Sequence, residues 1–162
     1  MRDAWYHTSL ICLNGHVLTD RIDDSPEKES PYCPRCSEPT ISTCPNCSSP
    51  IRGYYEVAGI SHIGRTITPA PNYCFQCGKA FTWTEKYLKV AKEMAAELED
   101  LTEEEQELLQ QSIDVLMTDS PEVQLAATRF NRMMKKVKQA GQPLRELMIE
   151  LVAETTKRML SP

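Results

Sequence analysis

The cysteines of this chain occur in closely spaced pairs, and this pairing limits how its N-terminal half can fold. Three pairs have the spacing Cys-x2-Cys, and a fourth has the spacing Cys-x3-His. The pairs are Cys33 with Cys36, Cys44 with Cys47, Cys74 with Cys77, and Cys12 with His16. All of them fall within residues 12–77, and no cysteine lies outside the set. Because a structural zinc ion takes four Cys or His ligands in a tetrahedron, eight paired ligands predict two complete zinc sites.

Other uses of paired cysteines fit this chain less well. A disulfide framework would leave one of the seven cysteines unpaired. A redox Cys-x2-Cys motif normally lies in a βαβ pattern, which this sequence does not show, and thiols buried as small apolar groups need no paired spacing. His7 and His62 stand at no ligand spacing from an unpaired cysteine. We interpret both histidines as ordinary polar residues.

The spacing leaves three arrangements of the pairs open. Sequential pairing puts the first two pairs on one ion and the last two on the other. A cross-brace joins the first pair to the third and the second to the fourth, as in RING-like folds, and a nested arrangement is the third option. The enclosed stretches 17–32 and 48–73 are long enough for β-hairpins, which favours sequential pairing. It would join Cys12, His16, Cys33 and Cys36 in one site, and Cys44, Cys47, Cys74 and Cys77 in the other.

Two of the pairs lie in an internal repeat. Residues 32–39 (YCPRCSEP) and 43–50 (TCPNCSSP) are offset by 11 positions and predict two copies of one metal-binding turn, or knuckle. Gly15 and Gly78 supply turn residues beside the other two pairs. Both sites would have four protein ligands, whereas a catalytic zinc keeps an open position. No nucleophile triad, phosphate loop or paired acid site is legible either, so we expect a protein that is not an enzyme.

The chain after Cys77 predicts helices, each with a start signal. The four starts are the capping boxes Thr82-x-x-Glu85 and Thr102-x-x-Glu105, then Ser120-Pro121, then Pro143. Gly141 is predicted to end the third helix. The predicted apolar stripes are Trp83, Tyr87, Leu88, Ala91, Met94, Ala95 and Leu98; Leu108, Leu109, Ser112, Ile113, Leu116 and Met117; Leu125, Arg129, Met133, Met134 and Val137; and Leu144, Leu147, Met148, Leu151, Val152, Thr155 and Met159.

The predicted fold is therefore small α+β. A double zinc-ribbon-like module with short β-hairpins occupies residues 1–81, and an α-helical domain of about four helices occupies residues 82–162. A module of about 80 residues with this composition buries too little apolar surface alone. Structural zinc, worth about 10–16 kcal/mol in small modules, would stabilise it.

The distribution of charge does not favour general binding to nucleic acid. Residues 1–81 carry 7 Lys+Arg and 8 Asp+Glu, and residues 82–162 carry 11 and 15. Two zinc ions on seven thiolates and one imidazole would take the first half from −1 to about −4. One basic stretch exists: Arg129, Arg132, Lys135, Lys136 and Lys138. We interpret it as cations that complement the C-terminal end of a helix, although it could also contact phosphate or an anionic partner.

The segment from Gly53 to Tyr73 is the most distinctive stretch without ligands. Its apolar and aromatic residues could form a hairpin that either packs on the helices or serves as a partner surface, and packing is the preferred interpretation. They are Tyr54, Tyr55, Val57, Ile60, Ile63 and Ile67. No apolar run approaches the roughly 20 residues needed to span a bilayer, and residues 1–20 do not resemble a signal peptide. We therefore expect a cytoplasmic location, where thiols stay reduced, and no membrane partner.

Several motifs together resemble an uncharacterised bacterial family. They are Cys12-Leu-Asn-Gly-His16, the two Cys-Pro-x-Cys knuckles, Ile51-Arg-Gly53, and residues 73–84 (YCFQCGKAFTWT). That family is a domain of unknown function with N-terminal zinc knuckles and a helical tail. The resemblance covers residues 7–84 closely and the tail loosely. It implies a bacterial, cytoplasmic, metal-binding protein and no particular activity.

Three functional hypotheses follow. The first is a non-catalytic adaptor or regulator, with zinc as scaffold and a protein partner or self-association through the helical region. The second is a nucleic-acid-binding regulator that uses the ribbon loops and the basic stretch, which predicts salt-sensitive binding. The third, ranked last, is an enzyme of redox or RING-like type.

Overall fold

The computed structural model describes residues 3–60, 66–118, 120–152 and 154–160. The chain divides into two compact units, Met1–Glu85 and Lys86–Pro162. The first unit contains every predicted metal ligand, and the second is helical. The predicted α+β class, with small β-hairpin sheets before a helical region, is confirmed.

Five short strands form two sheets in the described part of the first unit. They are β1 (Ala4–Thr8), β2 (Leu10–Cys12), β3 (Val17–Thr19), β4 (Thr40–Ile41) and β5 (Arg52–Val57). The strands β1 and β5 pair antiparallel in one sheet, and the other sheet has the order β3-β2-β4. The β2–β3 hairpin turns at the Cys-x3-His pair, so this ligand pair lies in the turn of a hairpin.

The sequence predicts hairpins within 17–32 and 48–73, and this prediction is wrong, because the strands in these stretches pair with strands outside them. The strand β3 pairs back with β2, and the described part of 17–32 then continues into a short 3₁₀ helix, Pro26–Lys28. In the second stretch, β5 pairs with β1, which lies more than forty positions earlier in the sequence, rather than with a nearby strand. Ile60 and Ile67 are exposed, and Ile63 and His62 lie outside the described residues.

Five α-helices follow in the residues that the structure describes. They are α1 (Thr82–Ala96), α2 (Glu103–Leu116), α3 (Val123–Val137), α4 (Gln142–Leu151) and α5 (Glu154–Leu160). The capping box of α2 is confirmed, since Thr102 accepts from the Glu105 N–H and Glu105 accepts from the Thr102 N–H. The first helix begins one residue earlier than predicted, because the Phe81 carbonyl already accepts from the Glu85 N–H. None of the helices in the described ranges has the length and apolar character needed to cross a membrane.

The start of the third helix was predicted too early. The helix begins at Val123 rather than Pro121, and its buried face carries Ala126, Ala127 and Phe130. Leu125, predicted on that face, is 52% exposed. The buried face of the helix therefore differs from the predicted stripe along its first two turns.

The ends of the last two predicted helices also differ. The third helix ends at Val137 because Lys138 has a φ of 52°, which ends the α-helix. Gly141 lies in the 3₁₀ turn that follows, with a φ of −84°. A Cβ on Gly141 would lie 2.5 Å from Val137 Cγ2, so close packing, and not backbone freedom, requires glycine there. The fourth predicted helix is broken by the extended backbone of Val152, which separates α4 from α5.

The core of the helical unit lies around α3. Phe130 is fully buried, and α2 and α5 pack on the same helix. Leu109 and Ile113 of α2, and Met148 of α4, are also fully buried in this cluster. Of the predicted stripe in α5, Met159 is half-buried, whereas Thr156 and Leu160 are the buried residues; the side chain of Thr155 lies outside the description.

Candidate metal centres

Three of the four ligand pairs are copies of one knuckle. In each copy the N–H of the first cysteine donates to a carbonyl five residues later, and its own carbonyl accepts from the N–H four residues later. An isolated antiparallel bridge closes each copy, at Tyr32 with Pro39, Thr43 with Pro50, and Tyr73 with Ala80. The residue after the second cysteine has positive φ in every copy: Ser37 (58°), Ser48 (58°) and Gly78 (71°).

The repeat predicted from the sequence includes the first two copies and misses the third. It lacks the proline after the first cysteine and has Gly78 where the others have serine. The signal that could have found it is the small residue directly after the second cysteine. Glycine is favoured at a position with positive φ, because residues with a Cβ avoid this region of the backbone.

The Cys12–His16 turn has a different shape. The N–H of Cys12 donates to the carbonyl of His16, and the Gly15 N–H donates back to the Cys12 carbonyl. Gly15 has a φ of 81°, and a Cβ on it would lie 3.1 Å from Trp83 Cβ. The Trp83 ring stacks on Phe81, with centroids 4.6 Å apart, and its indole N–H donates to the Pro71 carbonyl. The first turn of α1 therefore supports the back of this ligand turn.

The structure brings the eight residues together as two groups of four, in the sequential arrangement and not in a cross-brace. The first cluster is Cys12, His16, Cys33 and Cys36, and the second cluster is Cys44, Cys47, Cys74 and Cys77. Within each cluster the possible ligand atoms all lie within 4.8 Å of one another. The seven thiols are free and form no disulfide.

The spacing of the donor atoms fits a tetrahedral zinc ion. With zinc–sulfur bonds of about 2.3 Å, two thiolates on one tetrahedral ion lie about 3.8 Å apart. The observed Sγ–Sγ distances are 3.7 Å for Cys12–Cys36, 3.8 Å for Cys44–Cys77 and 3.7 Å for Cys47–Cys74.

The histidine fits the same ion. A thiolate and an imidazole nitrogen on one zinc ion should lie about 3.6 Å apart. Cys33 Sγ and His16 Nδ1 are 3.6 Å apart. The residues present therefore fit zinc, with His16 offering Nδ1 as its ligand atom.

The knuckles also favour ionised thiols. Burial by itself raises the pKa of Cys33, but hydrogen bonds from the Arg35 backbone N–H and from His16 lower it to about 6. Hydrogen bonds from the side chain and the backbone of Ser49 lower the pKa of Cys47 to about 6. Burial raises the pKa of Cys12. The lowered pKa values of Cys33 and Cys47 favour the thiolate, which is the form of cysteine that binds metal.

His7 lies in a separate polar cluster on the inner face of the β1–β5 sheet. Its Nδ1 is 3.0 Å from Asp23 Oδ2, and its Nε2 is 3.5 Å from Glu56 Oε2. Arg21 forms an ion pair with Glu56, and its guanidinium lies over the Tyr54 ring. His7 is 5% exposed. Its interpretation as a polar residue outside both metal clusters agrees with this position.

The outer face of the same sheet carries a row of exposed rings, which we call the aromatic ladder. It consists of Tyr55, Tyr6, Arg52 and Phe75. Tyr6 and Tyr55 are cross-strand partners with ring centroids 4.7 Å apart. The Arg52 guanidinium lies 4.5 Å from the Tyr6 ring centroid and 3.7 Å from that of Phe75. Each of the three rings is nearly half exposed, at 48–49%.

Comparison with known protein families gave a match over nearly the whole chain. The model of a family described as an uncharacterized protein conserved in bacteria (DUF2321) matches residues 5–160. The match therefore includes the helices as well as the knuckles. No curated protein and no solved structure matches.

Proposed function

The chain belongs to the DUF2321 family of bacterial proteins, and we propose that it is a zinc-binding, non-catalytic adaptor or regulator with two structural zinc ions. The observation that carries this proposal is the closed geometry of both clusters. Each has four protein donors at tetrahedral spacing, and a catalytic zinc would keep one position for water.

The paired arrangement argues against the enzymatic alternatives. A RING-like transfer enzyme would need the cross-brace, and the clusters follow chain order instead. A redox enzyme would need a Cys-x2-Cys pair available for disulfide exchange, whereas every such pair here faces a second ligand pair. Zinc would hold these thiolates and leave none for that chemistry.

The aromatic ladder is the proposed contact surface for a protein partner. Aromatic side chains and arginine are enriched where interfaces bind most strongly, and the ladder presents three rings around one guanidinium. Phe75 lies between the two cysteines of the third knuckle, so the second zinc ion would fix its position. The ladder has a single cation, and phosphate binding requires several. A protein partner that offers apolar groups and a carboxylate to Arg52 therefore fits better than nucleic acid.

Metal content tests the first half of the proposal. Native mass spectrometry of protein purified without chelator should give two zinc ions per chain, lost only on unfolding. One zinc ion or none, with free or oxidised thiols, would contradict the assignment of both clusters.

The partner half is tested by pull-down from bacterial extract with the zinc-loaded chain. We expect bound proteins to be lost with Arg52→Glu and with Tyr55→Ala. The matched controls are Arg35→Glu and Tyr32→Ala, which change exposed residues outside the ladder. Equal retention by ladder and control variants would refute the ladder as the contact surface. Salt-sensitive binding of a single-stranded oligonucleotide, lost with Arg52→Glu, would instead support the nucleic-acid hypothesis.

A further inference from the structure

A cavity of about 430 Å³ lies beside the turn between α3 and α4. Its polar lining residues are Asn131, Lys135, Lys138, Gln142 and Arg145, and Met134 and Ile149 supply apolar surface. The lining thus contains three cations and two amides, with no carboxylate among the described residues. Its volume falls within the range of sites for small molecules, roughly 300–1,000 Å³.

The positive charge at this cavity is uncompensated within the described part of the chain. Elsewhere in the helical unit lysines pair with acids, as Lys136 does with Glu105 at 2.5 Å and Lys92 with Asp114 at 2.7 Å. Lys135 and Lys138 have no such ion pair among the described residues. Two members of the basic stretch therefore contribute to a concave site, while Lys136 is already paired.

Hydrogen bonds fix two of the lining side chains. Arg145 Nη1 donates to the Leu160 carbonyl at 2.8 Å, and Asn131 Nδ2 donates to the Met159 carbonyl at 2.6 Å. The second bond leaves Asn131 Oδ1 as an acceptor, and this atom is buried with no partner among the described residues. A buried acceptor without a donor is costly, by about 1–3 kcal/mol in proteins. Gln142 is less available, since its Nε2 donates to Glu146.

We propose that this cavity binds a small phosphate-bearing anion that also carries an O–H donor. The phosphate oxygens would accept from Lys135, Lys138 and Arg145, and the O–H would donate to Asn131 Oδ1 once the amide turns this buried atom toward the cavity. Inorganic hydrogen phosphate and a hydroxylated phosphomonoester share this chemistry. A fully deprotonated anion such as sulfate offers the charge without the donor. The backbone of Lys138, with its positive φ, is the kind of strained position found at binding sites.

Calorimetric titration of the zinc-loaded full chain at constant ionic strength tests the site. The probes are ribose 5-phosphate, inorganic phosphate and sulfate. We expect both phosphate probes to bind more tightly than sulfate, and Lys135→Gln and Arg145→Gln to weaken binding about tenfold or more, as expected for a lost charged hydrogen bond. Tighter binding of ribose 5-phosphate than of phosphate would identify a phosphomonoester as the ligand class, and the reverse would identify the free ion.

Arg132→Gln is the matched control, because Arg132 is an exposed cation on the same helix that does not line the cavity. Lys135 is exposed, so Lys135→Gln keeps the test valid if Arg145→Gln fails to fold. The proposal would be overturned by no binding of either phosphate probe, by equal binding of sulfate and phosphate, or by equal weakening with Arg132→Gln. Tight binding of a single-stranded oligonucleotide that depends equally on Lys135 and Arg132 would also overturn it, in favour of an extended basic surface.

Discussion

The second cluster offers a matched pair of substitutions at equivalent positions of two knuckles. Ser48 and Gly78 each follow the second cysteine of a knuckle, with φ values of 58° and 71°. In both knuckles the N–H of this residue donates to the first cysteine's carbonyl, at 2.8 and 2.9 Å. We predict that Gly78→Ser weakens zinc binding at the second cluster and that Ser48→Gly strengthens it.

The magnitude follows from the backbone alone. A Cβ on Gly78 would meet no atom within 4 Å, so the substitution causes no clash. A residue with a Cβ in the left-handed region costs about 1–2 kcal/mol, and glycine loses about 0.5–1 kcal/mol more than other residues through backbone entropy. The difference is about 0.5–1 kcal/mol. Because metal binding is coupled to folding, this corresponds to about a two- to fivefold change in zinc affinity.

Competition with a chromophoric chelator measures this change. The first cluster is unaltered in both variants and acts as an internal reference. The double variant that exchanges the two residues, with glycine at 48 and serine at 78, should bind zinc with nearly wild-type affinity. If both single substitutions change affinity in the same direction, the shared knuckle conformation is not the cause and the reasoning fails.

Three further predictions concern the metal, the core and pH. Cys74→Ser should reduce the zinc content by one ion per chain in native mass spectrometry; two retained ions would contradict the ligand assignment. Phe130→Ala should lower the free energy of unfolding by about 3–5 kcal/mol in urea titrations followed by circular dichroism, because the ring is fully buried; a loss below about 1 kcal/mol would contradict that burial. The pKa of Glu105 is lowered by hydrogen bonds from Lys136 and from the Thr102 N–H, so its contribution is present above the ordinary carboxyl pKa and disappears as pH falls through the lowered value. Glu105→Gln should therefore destabilise the chain at pH 7 and have no such effect in strong acid, and a pH-independent difference from wild type would show that charge is not involved.

The metal clusters could be predicted from sequence because their information is local. Two ligands three or four positions apart can bind the same ion, and the lengths between pairs favour sequential pairing, which the structure shows. The capping box at Thr102 was legible for the same reason, since the signal spans four residues. The expected protein partner, cytoplasmic location and absence of catalysis remain predictions.

The pairing of distant strands and the buried face of α3 could not be predicted from the sequence. The strand β5 pairs with β1, more than forty positions away, and nothing in either strand specifies the other. Leu125 is predicted as a core residue, but the buried face of α3 carries Val123, Ala126 and Ala127 instead. The helix α4 ends at Val152, which is neither glycine nor proline, so the sequence does not predict the break at this position.

The pairing of the two-residue strand β4 affects which cysteines share a metal ion while the chain is being synthesised. The neighbouring knuckles at 33–36 and 44–47 present four cysteines before Cys77 has been made, an interval of about 1.5–6 s from Cys47 at typical bacterial elongation rates. These four thiols could form a wrong site of their own in the nascent chain. The strand β4 lies between the two knuckles and pairs with β2, which carries the first ligand, Cys12. We expect this pairing to bring the knuckle at 33–36 to Cys12 and His16. The knuckle at 44–47 then remains available for Cys74 and Cys77, which are synthesised later.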